Sequence, residues 1–190
     1  MSSENLNWDK EIEEIHHRRA LAKGHGGEEA VEEHHAKGRL TLRERIDRLI
    51  DAGSFKESGM GAGGAEKDER GNLTGFTPSN FILGFAKVDK RPIIIGGEDF
   101  TIRGGSPTIA GLRKSVYTEQ LACKYKLPLV RLHEGGGGSV VGAAGKAGSG
   151  GPVGSSVAEP PRFKSVAEAM AMVPIASAAM GPVAGLPAAR

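Results

Sequence analysis

The chain has 190 residues, enough for one domain with its own hydrophobic core. Its formal net charge of +2, with acidic and basic residues interleaved, gives no electrostatic basis for nucleic-acid or membrane-surface binding. One cysteine, Cys123, excludes an internal disulfide and a thiolate metal cluster within one chain, and no apolar run approaches the ~20 residues of a membrane helix. With no signal-peptide pattern at the start, a soluble protein of a reducing compartment is expected.

Residues 5–23 carry Trp8, Ile12, Ile15 and Leu21 at roughly helical spacing, and Gly24 to Gly27 break that helix. Residues 28–37 supply a second, strongly polar helix, so a helical hairpin lying on another body is expected, since neither helix would hold alone. A third helix starts at Thr41, where Glu44 completes a capping box, and presents Ile46, Leu49 and Ile50 before Asp51-Ala52-Gly53 ends it. Residues 58–80 are glycine-rich and polar and read as an exposed loop. Strands follow at 81–88 and 92–96 around the turn Asp89-Lys90-Arg91, then a long helix at 108–126 and a short buried strand at 129–132. A low-complexity Gly/Ala/Ser stretch reaches Ser156, and Ser165-Val-Ala-Glu168 reads as a capping box opening a helix that Pro174 ends. Strand and helix alternate over 81–190, the pattern of an α/β core.

The glycine run 135–138 directly follows a strand, where α/β proteins place ligands. It is not a P-loop: Gly145-Lys146 is followed by Ala147, and Val140 stands where the first glycine should be. It is not a dinucleotide fingerprint, because Val140 follows Gly135 and Gly137, and Val153 follows Gly148 and Gly150. For residues 142–156 a plain linker is an equal alternative. The pairs His16-His17 and His34-His35 read as solvated helix surface, with no recognisable metal-ligand set. His133 has no accompanying nucleophile and there is no G-x-S-x-G elbow, which argues against a Ser or Cys hydrolase. Lys37, Arg39, Arg43, Arg45 and Arg48 form a basic cluster, open to two readings: a solvated face paired with Glu44 and Asp47, or contact with a phosphate-bearing ligand. Residues 181–190 read as a glycine turn whose adjacent backbone N–H groups could form an oxyanion hole.

Four segments together resemble one family. They are the run from His35-Ala-Lys-Gly-Arg-Leu-Thr to Phe55-Lys-Glu57, Asp99-Phe-Thr-Ile-Arg-Gly-Gly-Ser106, Leu121-Ala-Cys-Lys-Tyr-Lys-Leu-Pro-Leu129, and Gly181-Pro-Val-Ala-Gly185. They are similar to the carboxyltransferase (β) subunits of biotin-dependent acyl-CoA carboxylases, with the propionyl-CoA carboxylase β type as the nearest familiar group. The resemblance implies an α/β, crotonase-like superhelix of ββα units preceded by the N-terminal helical hairpin. Residues 1–57 would be helices packing on the core. Residues 58–190 would be most of an N-terminal carboxyltransferase domain, with the C-terminal, carboxybiotin-binding half outside this sequence. The resemblance also makes 175–180 a strand, although its alanines favour helix.

The family's activity would be transfer of CO2 from carboxybiotin, on a partner carrier, to the α-carbon of an acyl-CoA through a thioester enolate. On that reading Gly185 and Leu186 supply the backbone oxyanion hole. Gly136, Gly137, Gly138 and Ala184 frame the thioester, where the family commonly has Asp-Ser-Gly-Gly-Ala-Arg and Ala-Gly-Gly, and Lys37, Arg39 and Arg43 lie near the CoA phosphates. The expected partners are a biotin carboxylase or biotin carrier subunit and further copies of the chain, hexameric in the family, in the cytoplasm or an organelle matrix. Neither nucleic acid nor membrane is expected as a partner, and no metal. The alternatives are a biotin-dependent decarboxylase subunit running the transfer in reverse, and a non-catalytic scaffold subunit.

Overall fold

The computed structural model describes residues 7–136 and 162–185, together with residue 188. Helices α1 (Asp9–Lys23), α2 (Glu28–Ala36) and α3 (Leu42–Leu49) come first, followed by strands β1 (Lys56–Glu57), β2 (Gly63–Lys67), β3 (Leu73–Pro78), β4 (Phe81–Val88) and β5 (Arg91–Glu98). A short 3-10 turn at Arg103–Gly105 leads to α4 (Ile109–Tyr125), β6 (Leu129–Gly135), α5 (Arg162–Met172) and β7 (Ile175–Val183).

Among the described residues the main sheet has the order β1-β4-β5-β6-β7. The β4–β5 pair is antiparallel, whereas β5–β6 and β6–β7 are parallel, so α4 and α5 lie on the two crossovers. The β4–β5 turn takes two residues, Asp89 and Lys90, both at positive φ, which suits the right-handed strand twist. Their amides donate to the Asp51 carboxylate at 3.0 and 2.7 Å, which ties the end of α3 to the hairpin.

Alternation along the central strands builds a core on each face. Phe81, Leu83, Ile94 and Leu129 pack with Leu121 and Ala122 of α4 and Ala169 and Val173 beside them. Ile82, Ala86, Ile93, Ile95 and Leu132 face Leu42 and Ile46 of α3. The result is three layers: α4 and α5, the sheet, then α3.

Helix α3 begins as its sequence requires. The Thr41 hydroxyl accepts from the Glu44 amide and the Glu44 carboxylate accepts from the Thr41 amide, a complete capping box. Likewise Thr108 caps α4 through the Gly111 amide. Strand β7 forms over Ile175–Val183 despite its alanines, because β6 offers a parallel edge: propensity is a weak prior against a sheet partner.

Several expectations are corrected. Residues 58–80 hold an antiparallel hairpin, β2 with β3, exposed along β2, rather than a loop alone; with no strand face buried, no alternating apolar pattern announces it. Its turn is organised by Asp68, whose carboxylate accepts from the amides of Arg70 and Asn72 and from the Asn72 side chain. Ser165 does not open a helix, because α5 already spans Arg162–Met172; Ser165 lies on its buried side and donates to Glu119 of α4. His34 is not solvated surface: it is buried, with its ring stacked on Phe100 at 5.7 Å. Strand β6 runs three residues beyond the expected 129–132, because its far end is sheet-paired as well. On α1 the apolar stripe of Trp8, Ile12 and Ile15 stays exposed, and Ala22 is its buried residue.

Candidate functional site

Three glycine turns meet at the C-terminal ends of the parallel strands, where open α/β sheets bind ligands. The first, 103–106, has Arg103, Gly104 and Gly105 all at positive φ. Buried Asn80 anchors it: its side-chain amide donates to the Ser106 carbonyl at 2.6 Å, while its side-chain oxygen accepts from Thr108 at 2.9 Å. The second turn is 134–136. Its Gly136 amide donates to the Gly104 carbonyl at 3.0 Å. A Cβ on Gly105 would lie 2.6 Å from the Glu134 carbonyl oxygen, and one on Gly135 would lie 2.8 Å from the Gly105 oxygen, so the two backbones can approach only as glycines.

The third turn ends β7. The Ala184 amide donates to the Gly135 carbonyl at 2.9 Å, and Gly185 follows at φ 63°. Ala184 and Gly136 are both committed to backbone acceptors, whereas the Gly185 amide has no backbone partner among the described residues. That is what an oxyanion donor requires. Leu186, Gly137 and Gly138, the other residues expected at the hole and the facing turn, lie outside the described residues.

The basic residues separate. Lys37 is exposed and pairs with Glu33 at 2.6 Å, one helical turn away. Arg43 forms a bidentate pair with Glu57 at 2.6 and 3.2 Å and reaches the Ala22 carbonyl at 3.4 Å. Arg39 comes to the glycine turns: it lies over Phe100 at 5.6 Å and 3.8 Å from the Glu134 carboxylate. Arg45, outside the expected set, is buried and directly ion-paired with Glu134. One signal points to it: Arg45 shares the buried face of α3 with Leu42 and Ile46, so its charge must meet a buried partner, whereas Leu49, expected on that face, stays exposed.

On the opposite face of β6, Arg131 and His133 enter a second buried polar cluster. Arg131 donates to the Ser115 hydroxyl at 2.8 Å and lies 3.6 Å from Glu119, and His133 lies 3.4 Å from Glu98. Among the described residues no cluster of three or more His, Cys, Asp or Glu is arranged to hold a metal ion, and no helix is long and apolar enough to cross a membrane.

Comparison with known proteins shows the family. Residues 33–186 match the carboxyl transferase domain family, and the chain belongs to that family. It is 31% identical over 182 residues to the methylmalonyl-CoA decarboxylase subunit alpha of Veillonella parvula, covering 93% of this chain and 33% of that protein. It is 30% identical to a propionyl-CoA carboxylase beta chain of Cereibacter sphaeroides, covering 92% and 32%. Among solved structures, a single-chain, multi-domain long-chain acyl-CoA carboxylase matches with TM-score 0.66 and 27% identity, over 93% of this chain and 18% of that one. A transcarboxylase 12S structure with methylmalonyl-coenzyme A bound matches with TM-score 0.59 and 26% identity, over 74% and 27%. The fold is thus part of the crotonase-like carboxyltransferase architecture. The chain spans about a third of the length of the curated relatives it matches.

Proposed function

We propose that this chain forms the acyl-CoA-binding part of a biotin-dependent acyl-CoA carboxyltransferase. The carrying observation is the Gly185 amide, held at positive φ at the end of a parallel strand and without a backbone partner among the described residues. Aimed at a thioester oxygen, with Leu186 as the second donor, it stabilises the enolate that carboxylation at the α-carbon needs; one such donor is worth about 3–4 kcal/mol. When bound on its carrier, carboxybiotin would supply the CO2 for the new bond at the α-carbon and a ureido nitrogen to take the α-proton, while this chain's turn would hold the charge that develops on the thioester oxygen. No side-chain base is required. Gly136, Gly137, Gly138 and Ala184 frame the thioester. Arg39 stands closer to the glycine turns than Lys37 or Arg43, so it is the basic residue best placed for the ligand.

Carboxybiotin arrives on a carrier subunit, and the protein works as an oligomer in the cytoplasm or an organelle matrix. Support comes from the relatives, which include biotin-dependent acyl-CoA carboxylase subunits, and from the structural neighbour transcarboxylase 12S, a hexamer assembly. Similarity to a methylmalonyl-CoA decarboxylase subunit supports a second reading, in which the same site runs the transfer in reverse. Calorimetry with propionyl-CoA and methylmalonyl-CoA, followed by transfer assays in both directions with a biotinylated carrier, tests both. Absence of any CoA-ester binding would sink the proposal. Binding without transfer in either direction would leave a non-catalytic scaffold.

A further inference from the structure

The β6–β7 ladder is regular from Leu129↔Ile175 to His133↔Ala179 and then jumps to Gly135↔Val183. Two residues of β6 therefore span four of β7, and the surplus in β7 is a bulge around Met180, Gly181 and Pro182. Pro182 has no amide to give the ladder, so backbone pairing alone cannot hold this stretch. Glu134 sits opposite the bulge. Its side chain is 2% exposed, one carboxylate oxygen is ion-paired with Arg45, and that same oxygen is 3.8 Å from His34. The other oxygen accepts no hydrogen bond among the described residues, lies 3.8 Å from Arg39, and packs where a side chain on Gly181 would be.

We infer that Glu134, held by Arg45, is a positioning residue that wedges the β7 bulge and so aims the 184–185 turn at the ligand. A buried ion pair is poor evidence of stabilisation, since desolvation offsets most of its attraction. What Glu134 and Arg45 supply is direction: a carboxylate fixed from α3 in the one gap where β7 leaves its ladder. Gly181 is then required to be side-chain-free by the carboxylate it covers, and not by turn conformation. The inference rests on the proposed acyl-CoA reading for its consequence in turnover, but its structural content can be read separately.

The test uses the whole protein, comparing Glu134→Gln, Arg45→Met, the double variant and Arg45→Lys. Amide exchange at Ala184 is read against Ile94, a core amide bonded to the Pro128 carbonyl at 2.9 Å. Glu134→Gln is expected to speed exchange at Ala184 at least tenfold while Ile94 changes less than twofold. The kcat for carboxyl transfer falls at least tenfold, with the acyl-CoA KM within threefold. The double variant is no worse than either single one, and Arg45→Lys, which keeps the charge and is the variant surest to fold, recovers most of the loss. Unchanged exchange at Ala184, equal acceleration at Ile94, or defects that multiply in the double variant would each overturn the inference. If wild-type protein binds no CoA ester, the acyl-CoA reading fails, while the exchange data still decide whether Glu134 wedges the bulge.

Discussion

Gly185 adopts φ 63°, a region that costs an L-residue with a side chain about 1–2 kcal/mol and a β-branched one more. Gly185→Val should therefore pull the turn out of the left-handed region and turn its amide away from the ligand. The expected result is at least a tenfold fall in transfer rate, with little change in affinity for CoA itself; wild-type turnover in this variant would remove Gly185 from the oxyanion hole. Lys114 presents the opposite case, a residue whose charge the fold opposes. Burial pushes its ammonium down from 10.5 to about 8, with Glu57 pulling it back up and Arg43 pushing it further down. Between these values the unfolded chain binds more protons than the folded one, so stability rises as pH climbs from about 8 to 10.5. Lys114→Met should raise stability at pH 7 by on the order of 1–3 kcal/mol, an advantage that shrinks as pH approaches 10.5. Denaturant melts at pH 7 and 10 check it, and a variant that is less stable at pH 7 would show that the ammonium makes a contact worth more than its desolvation.

Helix α3 shows what a short element owes to its ends. Eight residues are too few for independent helicity, so the capping box at Thr41 and Glu44 and the burial of Leu42 and Ile46 carry it. Thr41→Ala should cost about 1 kcal/mol, read as a lower urea midpoint with unchanged slope; a change below about 0.3 kcal/mol would mean that packing alone sets where α3 starts. This cap was legible in the sequence, as were β4, β5 and α4, because each carries its own signal: a box, an alternation, or a helical stripe between Thr108 and Lys126. Strand β7 was legible only through family likeness, since its alanines name a helix and the edge of β6 overrides them. The β2–β3 hairpin was illegible for a different reason: a strand pair with no buried face leaves no period-two pattern. Within the site the sequence pointed to the glycine run after β6 and the turn after β7, but not to the 103–106 turn, whose role in the close backbone approach emerges only in the fold. The Glu134–Arg45 pair could not be read, because it joins residues 89 positions apart and only the folded sheet brings α3 under β6.

At the scale of the whole molecule, the α1–α2 turn is hooked onto the segment that leads to the first glycine turn. Asp99 follows β5, almost fully buried, and its carboxylate pairs with the His25 ring at 2.6 Å. It also accepts from the Thr101 amide at 3.0 Å and the Thr101 hydroxyl at 2.6 Å, and that hydroxyl accepts from the Gly26 amide at 3.0 Å. Gly26 lies so close to the Thr101 carbonyl that any side chain there would collide with it. Burial is the largest single influence on the Asp99 carboxyl and raises it, but the His25 and Thr101 hydrogen bonds and the His25 charge together outweigh burial and hold it below the ordinary 3.8. A carboxyl depressed in the folded state contributes stability that is fully present above its unfolded value and is lost as pH falls through its folded value. The N-terminal hairpin should therefore loosen from the core as pH falls below the ordinary 3.8 of a free Asp carboxyl, with exchange at Gly26 rising ahead of exchange at Ile94. Asp99→Asn should bring that loosening to neutral pH and flatten its acid dependence, at a cost of about 3 kcal/mol for breaking a buried pair. Because residues 99–103 run directly into the turn that receives the Gly136 amide, the same variant should also speed exchange at Gly136. If Gly26 and Ile94 opened together at every pH, the hairpin would be part of one cooperative unit and the Asp99 contact would not be a separate fastening.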